Sequence, residues 1–435
     1  MLKPTFKEAL KFWIKLGFIS FGGPAGQIAI MHEYLVEKKK WISNSKFLHA
    51  LNYCMILPGP EAQQLATYIG WLLHGKRGGF AAGILFVLPS MFILFGLSWM
   101  YVSFGNLPWV YAMFDGLKPA VIAIVILALI KISKKSLSTR FHIFIAIAAF
   151  VCIYFFKISF PIIILCTIVL AIIINKYFSD FILTSKEEKI NNDQEDEYLI
   201  NSNNKEFKID FSVVDLLKNI LGAIIFWIAP IAVIYLGASD FYFWKQLILF
   251  FTKAAFVTFG GAYAVLPYVA QVSVEKFHWL TNLQMIDGLG LGETTPGPLI
   301  MVLAFVGFMA AHNHYDSSII FGALGLLVTT YYTFLPCFLF IFAGAPIIEK
   351  TQENKRIKDV LTLVTAAVVG VVLNLTIYLG QAVVFPKEFS LTGLNVKAVV
   401  WIVISLIAMY RYKINMIKWI IVSVSFGLIT YLIVT

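Results

Sequence analysis

The chain has 435 residues, of which 60% are hydrophobic and only 13% are charged, and its formal net charge is +10. A soluble protein has about a quarter of its residues charged, so the composition excludes an ordinary soluble enzyme or binding domain. Lysines on the cytoplasmic loops of a membrane protein account for the positive charge, and we expect no nucleic-acid partner.

The first two predicted elements, 5–35 and 46–74, are each interrupted near the middle. Lysines recur every four residues at the start of 5–35, which predicts an amphipathic helix with a basic stripe, not a cleaved signal peptide. The tetrapeptide FGGP stands at 21–24 and the tripeptide PGP at 58–60. Glycine and proline at these points predict a break in each helix.

The rest of the chain alternates apolar runs with short polar loops. Runs of about 20 apolar residues are long enough to cross the lipid bilayer, and they predict a multi-pass protein of the inner (cytoplasmic) membrane. The first half continues with elements at 80–105, 114–132, 141–156 and 160–178. The second half has one extra element, 216–238, and then six that correspond to those of the first half: 243–272, 283–311, 318–347, 359–385, 396–410 and 415–434.

An internal duplication relates the two halves. Rare tryptophan, glycine and proline residues recur at a fixed offset of 238 positions, over about sixty residues without a gap. Membrane transporters are often built from such repeats. The matched pairs include Lys15 with Lys253, Gly23 with Gly261, Trp41 with Trp279, Gly59 with Gly297 and His74 with His312. We predict a first repeat over 1–183, a polar cytoplasmic linker over 184–208, a linking membrane helix over 209–238 and a second repeat over 239–435.

The number of elements predicts that the two repeats are inverted. Seven elements separate matching starts, and an odd number of crossings turns the second repeat over. We expect an all-α protein of about 13 membrane segments, with its N-terminus in the cytoplasm and its C-terminus outside. The loops at 131–140, 347–358 and 411–418 then carry their Lys and Arg residues on the cytoplasmic side, as the positive-inside rule requires.

The loop around Lys38, Lys39 and Lys40 would violate that rule if 5–35 crossed the membrane once. It returns to the cytoplasmic side if 5–35 and 46–74 each enter the membrane, turn at their breaks and return. Arms of roughly 10–16 residues would reach about mid-membrane at 1.5 Å per residue. We expect this re-entrant arrangement, and broken spanning helices are the alternative.

Breaks at mid-membrane predict a binding site for a small anion. They expose backbone N–H groups that must face protein or water, and the N-terminus of the following helix is partly positive. Simple kinks in packed helices are the alternative. The expected substrate-binding residues are Phe21, Gly22, Gly23, Pro24, Pro58, Gly59, Pro60, Gln63, Gln64, Phe259, Gly260, Gly261, Thr294, Thr295, Pro296, Gly297 and Pro298.

Charged residues near the breaks suggest further roles. Glu61 follows Pro60 directly and Glu293 precedes Pro296 by three residues, so either carboxyl group could carry a proton in exchange for the anion. Helix capping is the alternative. Lys15 and Lys253 could attract the anion, or their ammonium groups could reach the membrane surface instead.

Four stretches resemble the chromate ion transporter (CHR) family in its long, two-domain form: FGGPAGQIA at 21–29, LPGPEAQQLATYIGWLLHGKRGG at 57–79, FVTFGGAYAVLPYVAQ at 256–271 and GLGETTPGPLIMVLAFVGF at 290–308. The resemblance covers both halves and leaves out the linker. It implies export of chromate, with sulfate as a related oxyanion, driven by the proton gradient, through two opposed halves. It does not identify the binding residues.

Two other function classes stay open from the sequence. One is an anion channel or a carrier for another oxyanion such as sulfate. The other is a membrane enzyme acting on lipid, although no cluster of acids, histidines or nucleophiles indicates one. The four cysteines lie in apolar segments without metal-ligand spacing, so we expect no metal or cofactor. A homodimer is also left open.

Overall fold

The computed structural model describes residues 3–21, 23–177, 197–201, 212–238, 240–348, 355–386, 390 and 392–434. Gly22 and most of the predicted linker lie outside the described residues. Within the predicted linker, residues 197–201 dock on the loop at 40–43, where an isolated bridge joins Ile42 to Ile200. Ile200 is buried there.

The described residues form sixteen α-helices. In chain order they are α1 (Phe6–Ile19), α2 (Gly23–His32), α3 (Asn44–Ile56), α4 (Glu61–Phe104), α5 (Pro108–Ser136), α6 (Arg140–Tyr154), α7 (Phe160–Tyr177), α8 (Val213–Gly237), α9 (Phe241–Phe256), α10 (Ala262–Gln271), α11 (Asn282–Thr294), α12 (Val302–His314), α13 (Ile319–Ile348), α14 (Lys355–Val384), α15 (Val396–Leu406) and α16 (Met416–Val434). Short π-helical turns extend α2, α10 and α15, and a 3₁₀ turn precedes α12.

The predicted helix breaks are confirmed. Interruptions separate α1 from α2, α3 from α4, α9 from α10, and α11 from the turn that leads into α12. A positive φ angle occurs at a glycine in each of them: Gly23, Gly59, Gly261 and Gly297. Such angles are costly for residues with a Cβ atom. The boundary predicted between the elements 46–74 and 80–105 also falls at a break, because α4 loses helical geometry at His74 and Gly75.

The helices on either side of the first two breaks form hairpins. Lys39 Nζ lies 2.9 Å from Glu8 Oε1, so the end of the α2 arm returns to the start of α1. The rings of Phe12 and Tyr34 stack between the arms with centroids 4.0 Å apart. The first part of α4 returns to the same end of the molecule, where His74 Nε2 lies 2.9 Å from the carbonyl oxygen of Pro4.

The second half of the chain forms similar contacts. His314 Nε2, at the end of α12, lies 2.8 Å from Asp240 Oδ2, at the start of α9. Asn313 donates a hydrogen bond of 2.8 Å to the carbonyl oxygen of Trp279. These contacts bring the outer ends of α9, α12 and the α10 arm together, as in the first half.

Seven of the described helices are long and apolar enough to cross a membrane, judged by length and composition: Glu61–Phe104, Pro108–Ser136, Phe160–Tyr177, Val213–Gly237, Ile319–Gly344, Asp359–Val384 and Met416–Ile433. Together with the interrupted helices they make this chain a polytopic membrane protein. The total of about 13 segments stays a prediction. Helix α8 has no buried residue and lies at the periphery against α9 and α13.

The long helices of the two halves pack crosswise. Helix α5 contacts α15 and α16 of the second half, whereas α14 contacts α6 and α7 of the first half. The short helices differ in burial. In α10 nearly every residue is buried, but in α2 only Gln27 and Met31 are. One set of hairpins is therefore packed inside the molecule while part of the other faces its surroundings.

Candidate functional site

Two hydrogen bonds join the four breaks in pairs. The N–H group of Gly59 donates to the carbonyl oxygen of Thr258 at 2.7 Å, and that of Gly297 donates to the carbonyl oxygen of Ser20 at 2.8 Å. Both donors and both acceptors differ by the same 238 positions that relate the two halves. Each break of one half is therefore held by the backbone of a break in the other half.

Local capping makes these contacts available. The hydroxyl groups of Ser20 and Thr258 donate to carbonyl oxygens one turn back in their own helices, at 2.5 and 2.6 Å. They end α1 and α9 and leave the Ser20 and Thr258 carbonyl groups to the partner break. The glycines allow the close approach: a Cβ atom at Gly297 would stand 2.8 Å from Ser90 Cβ, and one at Gly59 would stand 2.8 Å from Gln64 Nε2.

Three buried glutamine side chains surround the paired breaks. Gln27 Nε2 donates to the Gly297 carbonyl oxygen at 2.5 Å, and Gln64 Nε2 donates to the Pro58 carbonyl oxygen at 2.6 Å. Gln63 Nε2 lies 3.2 Å from the hydroxyl oxygen of Thr67. The Oε1 atom of each amide is buried without a hydrogen-bond partner. Unpaired buried polar atoms are rare in proteins, and three of them lie together around these breaks.

The helices that begin at the breaks differ from those that begin at the outer ends. Thr5, Ser43, Asp240 and Thr281 cap α1, α3, α9 and α11 with side-chain hydrogen bonds. By contrast, Pro60, Gly261 and Pro298 provide no side-chain cap for the helices that start inside the molecule. The first-turn N–H groups at those three points are the kind of donor that binds an anion.

The two glutamates lie beside the breaks, but in different surroundings. Glu293 is buried and accepts a hydrogen bond of 2.5 Å from the hydroxyl group of Tyr263. Glu61 is only half-buried, and its Oε1 atom lies 4.0 Å from the point where a Cβ atom of Gly261 would stand. The 238-residue offset places Leu299 opposite Glu61 and Met55 opposite Glu293, so neither carboxylate has an acidic counterpart.

The other residues that the sequence predicts for the anion site are less directly placed to bind an anion. The hydroxyl groups of Thr294 and Thr295 donate to carbonyl oxygens of α11 at 2.7 and 2.9 Å, so they are not free to donate to a ligand. Lys15 and Lys253 are exposed on the outer faces of α1 and α9. Phe21, Pro24 and Phe259 are half-buried next to their breaks.

The sequence reasoning missed two polar residues at the breaks. Gln27 lies in the FGGPAGQ stretch, and Tyr263 follows Gly261 by two positions. In the other half, Val265 stands at the position that matches Gln27, and Ala25 at the position that matches Tyr263. A comparison of the two halves therefore does not identify Gln27 and Tyr263. A polar side chain within a turn of a helix break nevertheless indicates a functional position.

The uncapped helix ends lie inside a protein with membrane-spanning helices. This arrangement is typical of integral membrane transporters with interrupted helices. The family model of the chromate transporters matches residues 7–173 and 245–428, which is most of both halves. The chain belongs to the chromate transporter family.

Individual relatives match over nearly their whole length. A chromate transport protein of Pseudomonas aeruginosa is 28% identical over 99% of this chain and 92% of its own. One from Cupriavidus metallidurans is 27% identical over 87% of this chain and 83% of its own. A probable chromate transport protein of Synechococcus elongatus is 28% identical over 90% and 88%, respectively. No solved structure matches the chain.

Proposed function

We propose that this protein exports chromate, or a related oxyanion such as sulfate, across the cytoplasmic membrane in exchange for protons. Membership of the chromate transporter family supports transport of chromate by a membrane protein that is not an enzyme. The observation that carries the anion site is the convergence of helix starts without side-chain caps at Pro60, Gly261 and Pro298.

The proposed architecture is a pair of inverted repeats with re-entrant hairpins. The matched hydrogen bonds of Gly59 and Gly297 support the repeat, because corresponding atoms make corresponding contacts. The contact between Lys39 and Glu8 supports a hairpin that returns to its starting side. With the N-terminus in the cytoplasm, the second pair of hairpins enters from the outside, and the breaks of both pairs meet near the midplane.

In the proposed mechanism, backbone N–H groups bind the oxyanion and a carboxyl group returns the proton. The anion accepts hydrogen bonds from the first turns of α4 and α10, where the positive ends of the helix dipoles stabilise its charge. The carboxyl group of Glu61 stands at the same break, where it takes up a proton after the anion has left and carries that proton back through the returning, empty site. Anion and proton thereby cross in opposite directions, as exchange requires. Glu293 is the second candidate for the proton carrier.

Transport into inverted membrane vesicles tests the proposal. In such vesicles an exporter moves its substrate inward, so labelled chromate should accumulate when the vesicle interior is acidic, and much less without the pH gradient. Labelled sulfate in parallel determines which oxyanion is preferred. Vesicles from cells without the protein are the control.

The alternative is an anion channel. A carrier shows counterflow, in which unlabelled chromate on one side drives labelled chromate uphill from the other, and a channel cannot. Equal fluxes with and without the pH gradient, and no counterflow, would contradict the proposal.

A further inference from the structure

A buried ion pair lies outside the site described above. Lys118 on α5 and Asp287 on α11 are only 5% and 4% exposed, and Lys118 Nζ lies 3.6 Å from Asp287 Oδ1. Tyr101 on α4 donates a hydrogen bond of 2.9 Å to Asp287 Oδ2. Among the side chains that the structure describes, Lys118 is the only buried lysine or arginine. A charge inside the membrane is costly and usually functional.

The pair is incomplete as a structural contact. Asp287 Oδ1 is buried and makes no hydrogen bond, although it faces the Lys118 ammonium group. A buried pair that served stability alone would need close, fully satisfied geometry to offset the cost of removing both charges from water. Lys118 therefore keeps part of its capacity to bind an anion.

The pair lies between a surface cleft and the end of α11 that adjoins a break. Lys118 lines a cleft of about 60 Å³ that also contains Tyr111, Asp115 and Lys397, near the end of the molecule where α5 begins. That volume holds more than one water molecule, at about 30 Å³ each. In the other direction, Asp287 precedes Glu293 by six residues of α11, which is about 9 Å along the helix.

We propose that Lys118 is a second oxyanion site on the transport path and that Asp287 is its internal competitor. The inference rests on the proposed function. While the path is empty, Asp287 compensates the Lys118 charge. An oxyanion arriving from the breaks displaces Asp287 from Lys118, and the return of Asp287 to Lys118 expels the anion into the cleft. Tyr101 holds the displaced carboxylate in place.

The Asp287→Asn variant removes the competitor and keeps an acceptor for Tyr101. Because Lys118 then loses its carboxylate partner and keeps the Tyr111 ring, 5.0 Å from its Nζ atom, chromate should bind more tightly, with a fall of about tenfold or more in the apparent KM. Transport at saturation should be slower, because release lacks the competing carboxylate. Chromate should also raise the melting temperature of the purified variant more than that of the wild type. An unchanged KM and an unchanged thermal shift would overturn the inference.

A double variant, Lys118→Gln with Asp287→Asn, removes both charges and so separates an effect on binding from an effect on folding. A buried pair can be replaced without loss of stability when both charges are removed together. We expect near-normal yield and melting temperature, but a fall of about tenfold or more in kcat/KM for chromate. Wild-type transport by this double variant would mean that the pair is structural. The matched control is Lys39→Gln with Glu8→Gln, which neutralises an exposed pair and should leave kcat/KM unchanged.

The two proposals fail in different ways. If wild-type vesicles accumulate no chromate but the thermal shifts follow the expected order, chromate export is wrong and the anion site at Lys118 stands. If wild-type vesicles accumulate chromate and all variants behave alike, export stands and the second site is wrong.

Discussion

Glu61 and Glu293 differ in ways that distinguish their roles. The carboxylate of Glu293 is buried against the hydroxyl group of Tyr263, whereas Glu61 is only partly buried next to Gly261. A proton carrier needs access to water on at least one side, and Glu61 is the less buried of the two. We therefore propose Glu61 as the proton carrier and Glu293 as a fixed hydrogen-bond acceptor.

The Glu61→Gln variant should separate exchange from coupling. A neutral amide no longer repels the anion and cannot return a proton. Exchange of labelled for unlabelled chromate should therefore persist, while pH-driven accumulation should fall to the level of vesicles without the protein. Glu293→Gln is the matched comparison and should retain accumulation. Retention of pH-driven accumulation by both variants would show that neither carboxylate couples protons.

The glycines at the paired breaks should not tolerate a side chain. Alanine at position 297 would adopt a φ of +97° and place its Cβ atom 2.8 Å from that of Ser90. The backbone conformation alone costs about 1–2 kcal/mol, so we expect Gly297→Ala to lower both the melting temperature and transport. Gly222→Ala on the exposed helix α8 is the control, because its Cβ atom meets nothing within 4 Å. Equal behaviour of the two variants would refute the close approach at the breaks.

Bulk at the starts of α2 and α10 tests the proposed anion site. Gly23 and Gly261 have space for a side chain, with no other atom within 4 Å of a Cβ at Gly23, but their φ angles of +73° and +94° cost leucine about 1–2 kcal/mol. Gly23→Leu and Gly261→Leu should still insert into the membrane, but the leucine would crowd the breaks at which we propose that the anion binds. Transport by each variant, measured with labelled chromate, should fall to background. Near-normal rates in both would place the anion site elsewhere.

For individual residues, the sequence predicts the structure best where the two halves carry the same residue. Matched glycines and prolines predicted the breaks because their backbone preferences are local. Lys118 and Asp287 were missed because their partners come from different helices and have no matched counterpart. Lys15 and Lys253 illustrate the opposite case: they match, but both face outward. A repeat preserves helix positions more faithfully than the direction of an individual side chain.

At the scale of elements, the hairpins determine where the polar loops lie. The ends of α1 and of the α2 arm lie together at Glu8 and Lys39. A helix pair that crossed the membrane would separate them by roughly 30 Å. The sequence predicted the returning arms from the misplaced lysines. It also predicted the boundary between 46–74 and 80–105, where α4 loses helical geometry at His74 and Gly75.

Labelling of single cysteines checks the re-entrant arrangement. In intact cells, an impermeant thiol reagent should label a cysteine at position 313 and leave one at position 39 unmodified. The side chains of Asn313 and Lys39 both lie at outer ends of hairpins, so each is accessible from its own side. Opening the cells should then allow labelling at position 39, which controls for reactivity. Labelling at position 39 in intact cells would discard the first hairpin.

At the scale of the whole molecule, the two halves are not in equivalent states. Helix α10 is buried almost throughout, whereas α2 presents a stripe of exposed residues. That stripe consists of Ala25 and Ala29 and continues to Glu33 and Glu37, so its composition suits water better than lipid. Of the two matched short helices, α2 is therefore the one that is open to its surroundings.

Reactivity along α2 and α10 should reflect this difference. In a background without the native cysteines, Ala29→Cys should react with a water-soluble thiol reagent in inverted vesicles, whereas Ala270→Cys, fully buried on α10, should not. An excess of chromate on the opposite side should reduce the reaction at position 29 if the molecule alternates between two states. Equal reactivity at both positions would contradict a one-sided opening.

The paired hydrogen bonds at Gly59 and Gly297 have a consequence for biosynthesis. A ribosome delivers residues 1–183 to the membrane before the second half exists. Until then the Gly59 N–H group lacks its partner, and the Ser20 carbonyl oxygen keeps only the longer contact with Gln27 Nε2 at 3.4 Å. Each unsatisfied backbone group in lipid costs several kcal/mol. The first half expressed alone should be degraded quickly, and co-expression of 209–435 as a separate chain should extend its lifetime in a pulse-chase measurement. Maturation of this protein thus waits until the chain has been made past Gly297, and a stalled or truncated message leaves a fragment that the quality-control proteases of the membrane can recognise by its open backbone.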